Sequence, residues 1–196
     1  MTLNQYIQNN FKEGEIFSFK QIEYAAERPA SVTVSLSRLV NANKLRRLFK
    51  GVYYRPRINK IFGEMAPSEE QIVKFVCERN NAYISGNNAY NSLGLTDQVP
   101  TTICLACKPT LRPLRTKSLN IKFKKAYHEP DENNIGLLQI LDAINDSSNI
   151  VGTTKEECLE KIKNIVSKFS DQQKESLKHY SNFYPLKVSV NLNKML

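Results

Sequence analysis

Ser31-Val-Thr-Val-Ser-Leu-Ser-Arg-Leu-Val-Asn-Ala-Asn43 runs directly into Lys44-Leu-Arg-Arg-Leu-Phe-Lys-Gly-Val-Tyr-Tyr-Arg55, and these two stretches decide the fold of the first third of the chain. At 100° per residue, Val32, Leu36, Leu39 and Val40 share one side of a helix, which must face a core. The opposite side collects Ala30, Val34, Ser37, Arg38 and Asn41, with Thr33 on its flank. These are small or hydrogen-bonding side chains with one arginine and no acid. A merely solvated helix face usually carries Glu and Lys in i,i+4 pairs. Small polar residues instead let a helix approach the floor of a major groove. There Arg contacts guanine, Asn contacts adenine, and an apolar side chain such as Val34 meets the thymine methyl. Ser31, close to the helix start, is placed to offer its hydroxyl and free backbone amides to a phosphate.

Beyond that helix, Leu45 to Phe49 and Val52 to Arg55 flank Lys50-Gly51, which reads as a β-hairpin with Gly51 supplying the positive φ of the turn. The hairpin carries Arg46, Arg47, Lys50 and Arg55, the pattern of a strand pair gripping a phosphate backbone. Upstream, Leu3, Tyr6, Ile7 and Phe11 fall on one stripe of a first helix, and Glu15-Ile-Phe17 is a short extended link. Ser18 with Gln21 has the spacing of a capping box and predicts a second helix with Phe19, Ile22 and Ala26 inward, ended by Pro29. Helix, helix, helix, hairpin is the order of a winged helix-turn-helix. Charge supports the same reading: Met1 to Lys60 holds eleven Lys or Arg against four Glu, in a chain of net charge +9. No acid occurs between Arg28 and Lys60, and neutralising phosphate is the commonest reason to gather cations this way. The competing reading of the hairpin is an edge strand guarded by charge.

The segment from Arg55 to Pro67 breaks both periodicities and contains two prolines, so 61–66 is expected to be a linker between a domain at 1–60 and another at 67–196. In the second domain Ser68 and Gln71 cap a helix burying Ile72, Phe75, Val76 and Cys77. Tyr83 to Gly86 is extended, and Asn87 to Leu93 is a short helix closed by Gly94. Thr101 to Ala106 and Leu119 to Phe123 read as strands. From Gly136 onward the chain is helical, with an apolar stripe of Leu137, Leu138, Ile140, Leu141 and Ile144, and further capping boxes at Thr154/Glu157 and Ser170/Gln173. The expected class is therefore α+β and mostly helical, a winged helix-turn-helix followed by a mixed α/β domain with a helical C-terminal end. Residues 61–196 are nearly neutral apart from Lys108, Arg112, Arg115, Lys117, Lys122, Lys124 and Lys125, which follow one another with no acid between Asp97 and Glu129. These seven are a candidate second basic surface, or equally an exposed loop and hairpin without a partner.

Other chemistry is missing from the sequence. It contains no Gly-rich phosphate loop, no HExxH and no GxSxG, and Ile121-Lys-Phe-Lys124 lacks the upstream acid of a metal-dependent nuclease. No catalytic residue, cofactor or metal is expected. Cys104 and Cys107 are formally a CxxC, but they sit in a strand-like run, where i and i+3 point to opposite faces, and the only histidines are His128 and His179. With Cys77 and Cys158 they read as buried thiols of a reducing cytoplasm. The N-terminus has no charged-then-apolar signal region, and no apolar run approaches the ~18 residues that span a bilayer. The expected location is cytoplasmic, with no membrane partner.

Three stretches carry a family resemblance: Leu36-Ser-Arg-Leu39, Leu45-Arg-Arg-Leu-Phe-Lys-Gly-Val-Tyr-Tyr-Arg-Pro56, and Tyr83-Ile-Ser-Gly-Asn-Asn-Ala-Tyr-Asn-Ser-Leu-Gly-Leu-Thr-Asp-Gln-Val-Pro100, with Tyr184-Pro185 near the end. They resemble the AbiEi-type antitoxins and transcriptional regulators of type IV toxin–antitoxin systems. That resemblance implies a bacterial repressor whose winged helix binds inverted repeats in its own operator, and a C-terminal domain that counters a nucleotidyltransferase toxin. On this reading Thr33, Ser37, Arg38 and Asn41 read bases, Arg46, Arg47, Lys50 and Arg55 clamp the backbone, and Ser31 holds a phosphate of double-stranded DNA. The alternative is a winged-helix protein-interaction module with no specific DNA site.

Overall fold

The computed structural model describes residues 2–116 and 118–196, and these form an α+β protein of two compact units. One comprises 2–75 with 115–116 and 118, the other 76–114 with 119–196. Among the described residues no helix is long and apolar enough to cross a membrane.

The first unit opens with α1 (Leu3–Asn10), whose start is closed by a reciprocal pair: the Thr2 amide donates to Gln5 Oε1 (2.9 Å) and the Gln5 amide to Thr2 Oγ1 (3.3 Å). Strand β1 (Ile16–Ser18) follows, then helix α2 (Pro29–Asn41), strand β2 (Arg46–Phe49) and strand β3 (Val52–Tyr54). The three strands form an antiparallel sheet in the order β1-β3-β2, with Phe17 opposite Tyr53 and Arg47 opposite Tyr53 from the other side. Gly51 turns the β2–β3 hairpin at φ 72°, a value that costs a side-chain-bearing residue strain. Tyr6, Ile7, Phe11, Phe17, Ile22, Val32, Leu36, Leu45 and Tyr53 make one core, in which the Phe11 and Phe17 rings stack at 4.3 Å. Leu39 and Val40 pack on its margin.

Two expectations for this unit need correcting. The predicted second helix is a pair of single 3-10 turns, Phe19–Gln21 and Glu23–Ala25, separated by an extended Ile22. Gln21 Oε1 does accept from the Ser18 amide (2.7 Å) and hydroxyl (3.0 Å), but the box closes only one turn. The residues this segment buries are Ile22 and Ala25, three apart as on a 3-10 turn, while Ala26 is exposed. Pro29, in turn, does not end a helix but begins one. At the first helical position its missing N–H removes no hydrogen bond and its φ is already helical.

Residues 57–65, half of which read as linker, are a second antiparallel hairpin of β4 (Arg57–Asn59) and β5 (Gly63–Met65), with Ile58 opposite Glu64. The division into units falls instead inside α3 (Glu69–Asn80). The hairpin was illegible because each strand has three residues and neither has a buried face, so no alternation marks it.

The second unit holds a sheet in the order β6-β7-β9-β8: β6 (Tyr83–Ser85), β7 (Thr102–Cys107), β8 (Leu114–Arg115) and β9 (Asn120–Lys125). β6 runs antiparallel to β7, and β7 parallel to β9, with Ala106 opposite both Tyr83 and Lys124. Helix α4 (Gly86–Ser92) follows β6 so tightly that a Cβ on Gly86 would stand 2.9 Å from Cys104 Cβ, at a φ of 62°. Helices α5 (Ile135–Asp146), α6 (Lys155–Val166), α7 (Asp171–Ser181) and α8 (Leu186–Asn193) complete the unit, the middle two opened by the expected capping boxes at Thr154 and Ser170. Leu138, Leu141, Ile144, Cys158, Ile162, Leu177, Val188 and Leu192 form its core with Tyr83, Tyr90 and Leu95. The cysteines are free thiols, Cys104, Cys107 and Cys158 buried and Cys77 half-buried.

Candidate nucleic-acid interface

Helix α2 buries Val32 and Leu36 and leaves Ala30, Ser31, Thr33, Val34, Ser37, Arg38 and Asn41 exposed. The apolar stripe fixes which way the helix is rolled, so the acid-free side is the outward one. Val34 is 50% exposed. Because the helix begins at Pro29 and its first ladder bond runs from the Val32 amide to Arg28 O (3.1 Å), the amides of Ala30 and Ser31 have no intrahelical acceptor. No side chain caps that end either. Two of the expected base-reading hydroxyls are turned back on the helix: Thr33 Oγ1 donates to Pro29 O (2.7 Å) and Ser37 Oγ to Thr33 O (3.0 Å). They keep their acceptor lone pairs, so what they can take from a partner is a donor. Among the described residues, neither the Arg38 nor the Asn41 side chain hydrogen-bonds or pairs with anything in the chain, and both residues are exposed.

The four hairpin cations divide two and two. Arg47 and Lys50 are exposed and unpaired among the described residues, Lys50 at the turn itself. Arg46 is held in a bidentate pair, Nε 2.7 Å from Glu64 Oε1 and Nη2 2.5 Å from Glu64 Oε2, while its Nη1 donates to Asn43 Oδ1 at 2.6 Å. That hydrogen-bonded carboxylate raises the Arg46 pKa. Arg55 donates from Nη1 to Phe11 O (2.5 Å) and Gln8 O (3.2 Å), satisfying carbonyls at the end of α1, with Glu13 3.9 Å from Nη2. Both are tied to intramolecular partners, so the cations with free heads in this hairpin are Arg47 and Lys50.

The second basic stretch is dispersed. Lys108 pairs with Glu129 at 3.1 Å, and Lys125 lies over the Tyr127 ring, 5.2 Å from its centroid. Arg112, Arg115 and Lys122 are exposed; Arg115 groups with the first unit and the others with the second. Lys117 lies outside the described residues. Lys124 turns inward, which corrects its reading as a surface residue: its ammonium is 2.6 Å from Asp146 Oδ2 and 3.9 Å from Asp142 Oδ1. The acid-free run alone put it on a surface, and the acids that claim it lie far along the chain, in the second half of α5.

That contact opens onto a network sequence reasoning did not find. Asp142 is fully buried, accepting from Tyr83 OH (2.9 Å) and Ser85 Oγ (2.5 Å) on Oδ2 and from Tyr184 OH (3.2 Å) on Oδ1. Asp146 accepts from Tyr90 OH at 2.7 Å. Burial raises the Asp142 pKa against the opposing pull of Lys124, Ser85 and Tyr83. Burial also works against the charge on Lys124, but the two carboxylates outweigh it and raise its pKa. The signal available was an acid, Asp142, inside the apolar stripe of α5. Among the described residues, no group of three or more His, Cys, Asp or Glu is placed to hold a metal ion.

The geometry defines a two-unit α+β protein whose first unit carries a helix with an acid-free outward side and a hairpin turn with an exposed lysine. Residues 2–175 match the family described as a family of unknown function, DUF6088, and the chain belongs to that family. Among solved structures it is similar to the crystal structure of the Rv2827c protein from Mycobacterium tuberculosis, with a TM-score of 0.50 and 11% identity, over 99% of this chain and 74% of that one. That likeness is one of fold. No curated protein matches the chain.

Proposed function

We propose that the protein is a sequence-specific DNA-binding repressor that also serves as the antitoxin of a type IV toxin–antitoxin pair. In this reading the first unit is a winged helix-turn-helix in which two 3-10 turns stand for the second helix, α2 is the recognition helix and the β2–β3 hairpin is the wing. The observation that carries the DNA-binding half is the outward side of α2, where Arg38 and Asn41 have no intramolecular partner and no acid intrudes. Arg38 is the guanine reader, Asn41 the adenine reader, and Thr33 and Ser37 accept from base amino groups. Arg47 and Lys50 neutralise phosphates, and Ser31 with the free amides of the first turn holds another. Arg46 and Arg55 support this surface by fixing the wing and the end of α1. The antitoxin half rests on the resemblance to AbiEi-type proteins, which supplies the operator of inverted repeats and the nucleotidyltransferase as the target.

The test is fluorescence anisotropy of the full chain on a duplex from upstream of its own reading frame and on a shuffled duplex, at several salt concentrations. Preference for the upstream duplex, reduced by Arg38→Ala by about 1–3 kcal/mol, supports the reading. Equal loss on both duplexes removes Arg38 as a reader. Weak binding that ignores salt, together with a stable complex with a protein from the source cell, favours the protein-interaction module instead.

A further inference from the structure

The hairpin of β4 and β5 is exposed at nearly every position, and its most exposed apolar residues stand at the turn and one pair below it, with Met65 at its base 41% exposed. Ile58, Ile61 and Phe62 are 77%, 83% and 78% exposed. A two-stranded hairpin with no buried face is marginal on its own, and clustered large apolar side chains in water mark a contact surface. This one is built to hold its shape. Asn59 Oδ1 accepts from the amides of Ile61 (2.8 Å) and Phe62 (3.0 Å), and Gly63 turns at φ 71°. The Glu64–Arg46–Asn43 bonds tie β5 to β2 and to the residue two places beyond the end of α2.

Charge indicates what the tip meets. Arg57 and Lys60 flank it and are exposed, and the hairpin's one acid, Glu64, is neutralised by Arg46. A symmetric contact with a second copy would set these cations against themselves. The complementary partner is one whose apolar layers are sheathed in negative charge, which describes stacked base pairs between phosphate strands. We propose that the tip of the 57–65 hairpin enters the minor groove of duplex DNA and wedges Phe62, backed by Ile61, between adjacent base pairs, while Arg57 and Lys60 hold the flanking phosphates. This rests on the DNA-binding reading of the same unit and adds to it a bend: partial unstacking of a step by an apolar wedge kinks a duplex by roughly 20–90° toward the major groove. The step that kinks most readily is pyrimidine–purine, so the hairpin favours operators carrying such a step beside the α2 site.

The chain contains no tryptophan, so Phe62→Trp places a single indole at the tip. The full-length variant is titrated with the upstream duplex, with binding followed independently by anisotropy of a labelled DNA end. Quenched indole emission and reduced access to acrylamide, in step with the anisotropy, are the expected result. On the wild-type hairpin, energy transfer between dyes at the two duplex ends reports the bend. The Ile61→Ser/Phe62→Ser double variant, which removes no core contact, loses that bend and roughly tenfold in affinity. Anisotropy that rises while indole emission and acrylamide access stay unchanged overturns the wedge and leaves the repressor reading standing. No rise in anisotropy for the wild type overturns both. A blue shift on vesicles of phosphatidylglycerol and phosphatidylcholine but no response to duplex assigns the tip to a lipid surface. A blue shift that depends only on protein concentration assigns it to a second copy. Either result overturns the proposal.

Discussion

Two stretches of this chain are rich in Lys and Arg and free of acids in sequence, 28–60 and 108–125, and the fold engages a larger share of the second than of the first. In the first, Arg38, Arg47 and Lys50 keep free heads on an exposed surface. In the second, Glu129 takes Lys108, the Tyr127 ring lies under Lys125, and Asp142 with Asp146 draws Lys124 inward. A run without acids therefore predicts an anionic partner only where the fold brings no distant acid to it. Even the first stretch is sorted this way, since Glu64 takes Arg46 and the α1 carbonyls take Arg55.

The largest effect expected lies in the second stretch. Asp142→Ala removes the acceptor of three hydroxyls and leaves Lys124 with one carboxylate, and it should lower the unfolding free energy by about 3–5 kcal/mol. Urea denaturation measures it; Lys122→Ala, at an exposed lysine, should be within about 0.5 kcal/mol of wild type. Comparable losses for the two would erase the distinction between the buried Asp142 network and a surface lysine. In the first stretch the cost should move from stability to binding. Arg47→Ala should leave the urea midpoint in place, weaken upstream and shuffled duplexes alike, and flatten the salt slope by roughly one unit. Arg55→Ala should instead destabilise the protein by about 1–2 kcal/mol through the lost carbonyl contacts, with duplex affinity changed less than by Arg47→Ala. A reversal of those two behaviours would mean that the intramolecular bonds of Arg55 give way to phosphate on binding.

A further effect is a pH dependence. Burial pushes the Cys158 thiol up to about 11 from the ordinary 9.0. The folded form thus holds a proton that the unfolded chain gives up. Its contribution is intact below the unfolded pKa and falls as pH rises from 9.0 toward about 11, by on the order of 2–3 kcal/mol in full. Urea melts at about pH 8 and about pH 10.5 should show a steeper decline for wild type than for Cys158→Ala. Equal declines would place the alkaline sensitivity elsewhere.

Helix α2, the Lys50-Gly51 turn and the capped helices α6 and α7 were legible because each announces itself locally, by a 3.6-residue stripe, a glycine between apolar runs, or a Ser/Thr with Glu/Gln three residues on. The segment 18–29 was misread because a capping box marks where a turn starts and not how far it continues. Pro29 was misassigned for a related reason: it is compatible with the end of one helix and with the first position of the next. The 57–65 hairpin has no periodicity to detect, its shape being set by one Asn side chain and a bond to Arg46. The sequence showed which residues of the candidate interface are cationic but not which stay free. That depends on Glu64, Phe11, Asp142 and Glu129, which meet their partners only once the chain has folded.

The central claim is that the acid-free side of α2 and the Lys50-Gly51 turn lie against duplex DNA. Amide chemical-shift mapping of the full chain, titrated with the duplex from upstream of its own reading frame, tests it most directly. The account predicts that the amides of Ala30, Ser31, Val34, Arg38, Asn41, Arg47, Lys50 and Gly51 shift while those of Lys122 and Lys125 do not. Shifts clustered on β9, or none on α2 while the duplex is bound, would contradict it.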